Sequence, residues 1–249
     1  MSALALATRQ AGFDCRLLLR NGEQLLLTLA IPVVLLVLLT ASEVVSLGQP
    51  EGVPRVDAAL AGVLAVAVLS SAFASLAIAT GFDRRSGALL LLATTPLSRV
   101  TILVARSLAT LAVVAIQVTV LFAVAALLGW RPALGDVAYA LAFVLVGALS
   151  LGALGFALGG ALRAEATLAV ANAVFLVLLV AGGTALPTSS LPPAVAAVVS
   201  WLPSALLGDG LRQCLAGEAA PAGLGLSMLA LCAWFAAGIV VARRTFRWD

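Results

Sequence analysis

Phe82-Asp83-Arg84-Arg85-Ser86-Gly87-Ala88-Leu89-Leu90-Leu91-Leu92-Ala93-Thr94-Thr95-Pro96-Leu97-Ser98-Arg99 decides how this chain is read. Its apolar run is far too short to cross a bilayer, whose hydrocarbon core takes about 20 residues of helix. It opens on a dense charge cluster, stops at Thr-Thr-Pro, and stands between two apolar segments long enough to cross. Gly87 permits a turn after the charges. Ala88 to Thr94 would make about two helical turns. Pro96 cannot continue that helix but fits the first turn of the next, with Thr95 as its cap. The stretch reads as a short helix held between two spans by a glycine turn and a proline restart. The plain alternative is an interfacial helix with no partner.

Around it the chain is 63% hydrophobic and 10% charged, with a mean hydropathy of +1.19. Soluble domains are roughly half apolar and a quarter charged. This is the composition of an integral membrane protein, and no polar block is long enough to form a separate soluble domain. Apolar segments of spanning length fall near 25–45, 58–80, 101–128, 137–161, 167–186 and 222–242. Pro32, early in the first, is tolerated where neighbouring helices re-satisfy the freed carbonyl. The expected fold is an all-α membrane protein of six transmembrane helices. Residues 1–24 form an N-terminal interfacial helix and residues 25–249 the six-span domain, with a short cytoplasmic helix in the 82–99 loop and short outer re-entrant helices within 187–218.

In the N-terminal segment Arg9, Arg16 and Arg20 follow i, i+7, i+11 spacing and share one narrow stripe of a helix. Leu4, Leu6 and Leu17 to Leu19 supply the apolar side, which suits a helix lying at the membrane surface. It is not a secretory signal, because the next apolar run is long and no small-residue cleavage pattern closes it. Arginine counting sets the orientation. With the N-terminus inside, the inner segments hold Arg9, Arg16, Arg20, Arg84, Arg85, Arg99, Arg106, Arg163, Arg243, Arg244 and Arg247. The outer segments hold only Arg55, Arg131 and Arg212. Both termini are therefore expected in the cytoplasm, and residues 82–99 in the first cytoplasmic loop.

The composition also excludes chemistry. All 14 basic residues are Arg, and there is no His. A P-loop needs a Lys on the nucleotide phosphates, so the chain cannot be a conventional ATPase by itself. Ser-His-Asp and His-zinc sites are excluded as well. Cys15, Cys214 and Cys232 are expected on the inner side, on the outer side and inside a span, where no pair bridges. Gln117 and Asn172 are the main polar residues deep in the spans, expected to hydrogen-bond across helix contacts. No carboxylate stands mid-span, which argues against ion coupling. The energy for any transport must come from elsewhere. The Arg-only, Ala/Leu-rich composition fits a GC-rich bacterial genome.

Two further stretches carry structure. In the fourth span Gly155 and Gly159 form a G-x-x-x-G with Gly152 close to the same face, which reads as close helix packing, the alternative being a dimer seam. Between the fifth and sixth spans, Ser190-Leu191-Pro192-Pro193 and Leu202-Pro203-Ser204 each start a helix too short to span, and Leu211-Arg212 follows. Pro192, Pro203 and Arg212 mark these as an outer gate or re-entrant pair, the alternative being a cap that only packs. A connection of this length with its own helices is usually functional.

These residues together resemble the permease subunits of type-2 ABC exporters. The basic N-terminal segment followed by Leu19-Arg20-Asn21 is similar to that family's connecting helix. Phe82 to Arg99, continued by Ile102-Leu103-Val104-Ala105-Arg106, is similar to its coupling-helix loop. Leu191-Pro192, Leu202-Pro203, Leu211-Arg212 and Gly217 are similar to its outer helices. The chain departs from the family in having Asp83 where Glu is common, and an unbroken Leu89 to Leu92 where a polar residue is common.

The resemblance implies a subunit that is not itself an enzyme and has no catalytic or metal site. It implies two cytosolic ABC ATPase subunits that bind ATP and Mg, a second permease copy or paralogue, and surrounding membrane lipids, with no nucleic acid. It assigns ATPase coupling to Asp83, Arg84, Arg85, Gly87, Leu89, Leu90, Leu91, Leu92 and Pro96, with Arg84 and Arg85 pairing to ATPase carboxylates or serving as plain positive-inside anchors. The apolar, uncharged spans favour a hydrophobic or amphipathic cargo, such as a drug, antibiotic or lipid-like molecule, exported across the bacterial plasma membrane. The outer acids Glu43, Glu51, Asp57, Asp136, Asp209 and Glu218 would serve loop solubility or draw cations to the exit. The alternative function is a non-transporting membrane anchor or sensor for an ATPase. A lipid transferase would need clustered acids or His near the interface, and the acids are scattered.

Overall fold

The computed structural model describes residues 3–20, 22–42, 47, 52–88, 91, 99–180, 191–217 and 223–246. Every regular element among them is helical. They are α1 (Ala3–Arg20), α2 (Gly22–Ala41), α3 (Arg55–Val68), a π-helix (Leu69–Ser75), α4 (Leu76–Arg85), α5 (Arg99–Leu127), α6 (Leu134–Ala161), α7 (Ala164–Val180), α8 (Pro193–Val199), α9 (Pro203–Ala216) and α10 (Gly223–Thr245). Inside lipid each backbone N–H and C=O must be satisfied within its own segment, so apolar runs of this length fold as helices.

Among the described residues four helices are long and apolar enough to cross a membrane: the continuous Arg55–Arg85, then Thr101–Leu127, Leu134–Ala161 and Gly223–Thr245. They match the expected spans at 58–80, 101–128, 137–161 and 222–242. The spans expected at 25–45 and 167–186 coincide with shorter apolar helices, Leu26–Ala41 and Ala164–Val180. Their continuations at 43–45 and 181–186 lie outside the described residues. Pro32 is buried inside α2 without breaking it.

The centre of the fold is α6. On one side its small residues admit the π-helix and α4 at backbone distance. A Cβ on Gly155 would stand 2.5 Å from the Phe73 carbonyl oxygen, and one on Gly159 would collide with the Ala77 carbonyl. Elsewhere Gly238 of α10 packs on Ala153, and Leu207 of α9 fills the space over Gly147. The G-x-x-x-G face is thus occupied by the chain's own helices, which is the packing reading of that motif. At the end of α6 that carries Ala161, Leu76, Ile102, Leu103, Phe156, Ala157, Ala242 and Phe246 form a second apolar cluster. There Phe156 and Phe246 stack with ring centroids 4.9 Å apart.

The π-helix was not legible in the sequence. It is buried around Ser71, Ala72, Phe73 and Ala74. Ser71 Oγ donates to Gln117 Oε1 at 2.9 Å, and Gln117 Nε2 donates to the Thr28 carbonyl at 3.0 Å. This polar tie joins the π-helix, α5 and α2, and it is the cross-helix role expected of Gln117. Asn172, expected to act in the same way, lies on an exposed face of α7. The face α7 buries is instead carried by Ala164, Thr167, Ala171 and Leu178, a spacing of three, four and seven that leaves position 172 outside it.

Candidate functional site

The described part of residues 82–99 begins where α4 ends, and its three consecutive charges each reach a different helix. Asp83 accepts a hydrogen bond in an ion pair from Arg106 on α5. Arg84 Nη1 donates to the carbonyls of Leu162 at 3.1 Å and Gly160 at 3.4 Å, at the C-terminus of α6. A cation there also meets the negative end of the helix dipole. Arg85 Nη1 lies 2.7 Å from Glu165 Oε1, in the first turn of α7. Successive residues of a helix point about 100° apart, so three adjacent charges fan out onto three neighbours.

Arg106 extends this node to the N-terminal helix. Asp14 of α1 accepts from Gln10 Nε2 at 2.8 Å and lies within the field of Arg106. Burial pushes the Asp14 carboxyl above its ordinary value of 3.8, while Arg106 and the Gln10 hydrogen bond hold it back and Asp83 adds to the rise. Its Oδ2 is buried with no hydrogen-bond partner. Here α1 packs along α5, burying Ala11 and leaving Arg9, Phe13, Arg16, Leu17 and Arg20 exposed. The arginine stripe therefore faces away from the bundle.

Beyond the charges the chain turns. Ser86 Oγ donates to the Asp83 carbonyl, and Gly87 N–H donates to the Arg84 carbonyl at 3.1 Å. Gly87 has a φ of 76°, a left-handed conformation that glycine adopts without a Cβ penalty. Leu91 N–H donates to the Gly87 carbonyl, and Leu91 is helical with an exposed side chain. Leu89, Leu90, Leu92 and Pro96 lie outside the described residues.

The structure thus brings Asp83, Arg84, Arg85 and Gly87 together as the root of one loop. Arg84 and Arg85, assigned by the resemblance to carboxylates of a second protein, have partners within this chain. Sequence reasoning did not select Asp14, Arg106 and Glu165 as their companions. The separations are 23 residues for Asp83–Arg106 and 78 for Arg84–Leu162, too long for any helical periodicity to reveal. The one available signal was the scarcity of acids, 11 in the whole chain, which makes each acid near an arginine-rich edge a candidate partner.

The second assembly is the α8–α9 pair, two short helices bent by 99°. Pro192 is the N-cap residue of α8 and Pro203 the first residue of α9. Gly217 closes α9 in a left-handed conformation, φ 67°. The turn between them dips deep. Trp234 Nε1, half-way along the 23 residues of α10, donates to the Trp201 carbonyl at 2.8 Å. Leu207 meets Gly147, half-way along the 28 residues of α6. The turn at Trp201 thus lies level with the middle of α10, and Leu207, just over one turn into α9, lies level with the middle of α6.

Arg212 is almost fully buried in α9 and pairs with Asp209 at 3.2 Å, one helical turn away. Asp209, expected among exposed outer acids, is 7% exposed. The helix that carries it is inserted against α3, α6 and α10 rather than lying over them, and a buried carboxylate requires such a partner. Of the other acids, Asp136 is exposed and Asp57 half-buried, while Glu43, Glu51 and Glu218 lie outside the described residues.

Among the described residues no group of three or more His, Cys, Asp or Glu is placed to hold a metal ion. The three cysteines are free thiols. What the arrangement can do is mechanical. The root of the loop is tied to three helices at once.

No curated protein matches the chain. A family model described as ABC-2 family transporter protein matches residues 40–244. That range holds the first-loop root, the π-helix, all of α6 and the inserted α8–α9 pair. The chain therefore belongs to the ABC-2 transporter family, as a multi-pass membrane permease subunit of an ABC transporter whose ATPase is a partner subunit.

Proposed function

We propose that this chain is the permease of an ATP-driven exporter that moves a hydrophobic or amphipathic molecule outward across a bacterial plasma membrane. Two cytosolic ATPases that bind ATP and Mg dock on the first loop, and a second permease copy or paralogue completes the path. Six spans, with α2 and α7 counted among them, put both termini in the cytoplasm.

One observation carries this reading. The charges Asp83, Arg84 and Arg85 anchor a loop onto α5, α6 and α7 immediately before the Gly87 turn, and beyond that turn Leu91 is apolar, helical and 72% exposed. The charged root holds the loop to its own bundle, and the leucine run is left as the docking element. The absent Lys supports an external ATPase, and the apolar spans support an apolar cargo.

The test is ATP-dependent uptake of a hydrophobic cationic dye into inside-out vesicles that hold the chain with its co-purified ATPase. Uptake is expected with ATP and absent without the permease. Leu91→Asp is expected to weaken ATPase co-purification more than Arg84→Ala does. The opposite order would place docking on the charges and refute this reading of the loop.

A further inference from the structure

The first-loop root and the inserted hairpin lie at different depths of the bundle, and α6 touches both. Its C-terminal carbonyls at Gly160 and Leu162 are held by Arg84 of α4. Gly155 and Gly159 lock the same face against the backbone of the π-helix and α4. Nearer its N-terminus, Phe143 packs on Gly210 and Gly147 on Leu207, both of α9. From Leu162 to Phe143 is about 28 Å at 1.5 Å per residue. Close-packed interiors pass displacement on rather than absorbing it.

We propose that Arg84 is a positioning residue that closes a single moving body, α4–π-helix–α6–α9, so that displacement of the first loop reaches the inserted hairpin through α6. The proposal rests on the transport reading above. Asp83 and Arg85 tie the loop to α5 and α7, but neither of those helices packs on α9 as extensively as α6 does. All three charges sit on the Arg55–Arg85 helix, whose α3 part also packs on α9, and Arg84 alone of the three ties that helix to α6, the second helix that continues to the hairpin. Its guanidinium bonds to main-chain carbonyls at a helix end, so it follows the position of α6 rather than the rotamer of one side chain. Spatial continuity is a route and not yet a coupling, so the test reads coupling itself.

The chain carries a native reporter. Cys214 sits in α9, 7% exposed, and Cys15→Ser with Cys232→Ser leaves it as the sole thiol. In the assembled complex with its ATPase, the rate of Cys214 modification by N-ethylmaleimide is measured with and without a slowly hydrolysed ATP analogue. The wild-type side chain at 84 should give a nucleotide-dependent change of about fivefold or more, the lower range of ordinary allosteric coupling. Arg84→Ala should erase that dependence while gel filtration and the melting midpoint show a folded complex. Arg84→Lys, which keeps a cation at the α6 carbonyls, should restore most of it. A purely structural role would change the basal rate and leave the nucleotide ratio intact. An Arg84→Ala complex with the wild-type ratio overturns the proposal, as does a transporting wild-type complex whose Cys214 ignores nucleotide. A wild-type complex without ATP-driven dye uptake instead overturns the transport reading, and this inference falls with it.

Discussion

The two ends of the molecule use the same two residue types, aspartate and arginine, in opposite ways. At the first-loop root the bonds run between helices and are at least partly wet. Arg106–Asp83 has side chains 13% and 36% exposed, and Arg85–Glu165 has 60% and 70%. In the inserted hairpin the bond stays within α9 and is nearly dry, at 3% and 9%. An inter-helix bond stretches when helices move apart, so it reports and resists relative motion. A bond at i, i+3 travels with its own helix. The first kind couples elements, and the second makes it possible to carry charge into an apolar place.

This contrast can be broken by measurement. The largest effect is expected at Arg212. Arg212→Leu deprives the buried Asp209 of its ion-pair partner, which should cost about 3–5 kcal/mol and be visible as a lower melting midpoint in detergent. Adding Asp209→Asn should recover most of that loss. If Arg212→Leu alone is neutral, water reaches the pair and the hairpin is not inserted.

Next comes Arg106→Leu, which removes a charged hydrogen bond from a half-buried node. It is expected to cost about 1.5–3 kcal/mol, and limited proteolysis should show α1 released from α5.

Asp14 gives a pH signature of the same node. Its folded-state pKa is raised by burial, so the stability it lends is complete below the unfolded value and is lost as pH rises through the folded one. Asp14→Asn should therefore gain stability relative to wild type as pH rises above the ordinary value of 3.8. A difference that does not vary with pH would show that the carboxyl is not buried.

The smallest effect is expected at Arg85. Its ion pair is exposed, and Arg85→Ala should change stability by no more than about 0.5–1 kcal/mol. A larger loss would mean that the root holds the bundle together rather than merely linking its parts.

The helices were legible because lipid leaves a chain few choices. Thr101–Leu127 and Leu134–Ala161 lie within a few residues of the spans read from hydropathy, and Pro193 and Pro203 marked the starts of α8 and α9. What was not legible depends on depth and register. The burial of Asp209 follows from how far α9 is inserted, which no local pattern encodes. The engagement of Arg84 by Leu162 requires two helices packed at Gly159, and the sequence shows only that glycine is there. The π-helix sets three serines among its small residues where α3 and α4 have none, but serine does not by itself encode a wide turn.

That wide turn sets the phase of the helix. A π-turn amounts to one residue inserted into an α-helix, and one residue is about 100° of rotation and 1.5 Å of rise. Every side chain from Leu76 to Arg85 stands at its present azimuth because of what happens at Leu69–Ser75. If the segment were rewound to α geometry with α3 held in place, the three charges would each turn by about a residue's step and miss their partners on α5, α6 and α7. The hydroxyl of Ser71, bonded to Gln117, thus keeps time for arginines about three and a half turns of helix away.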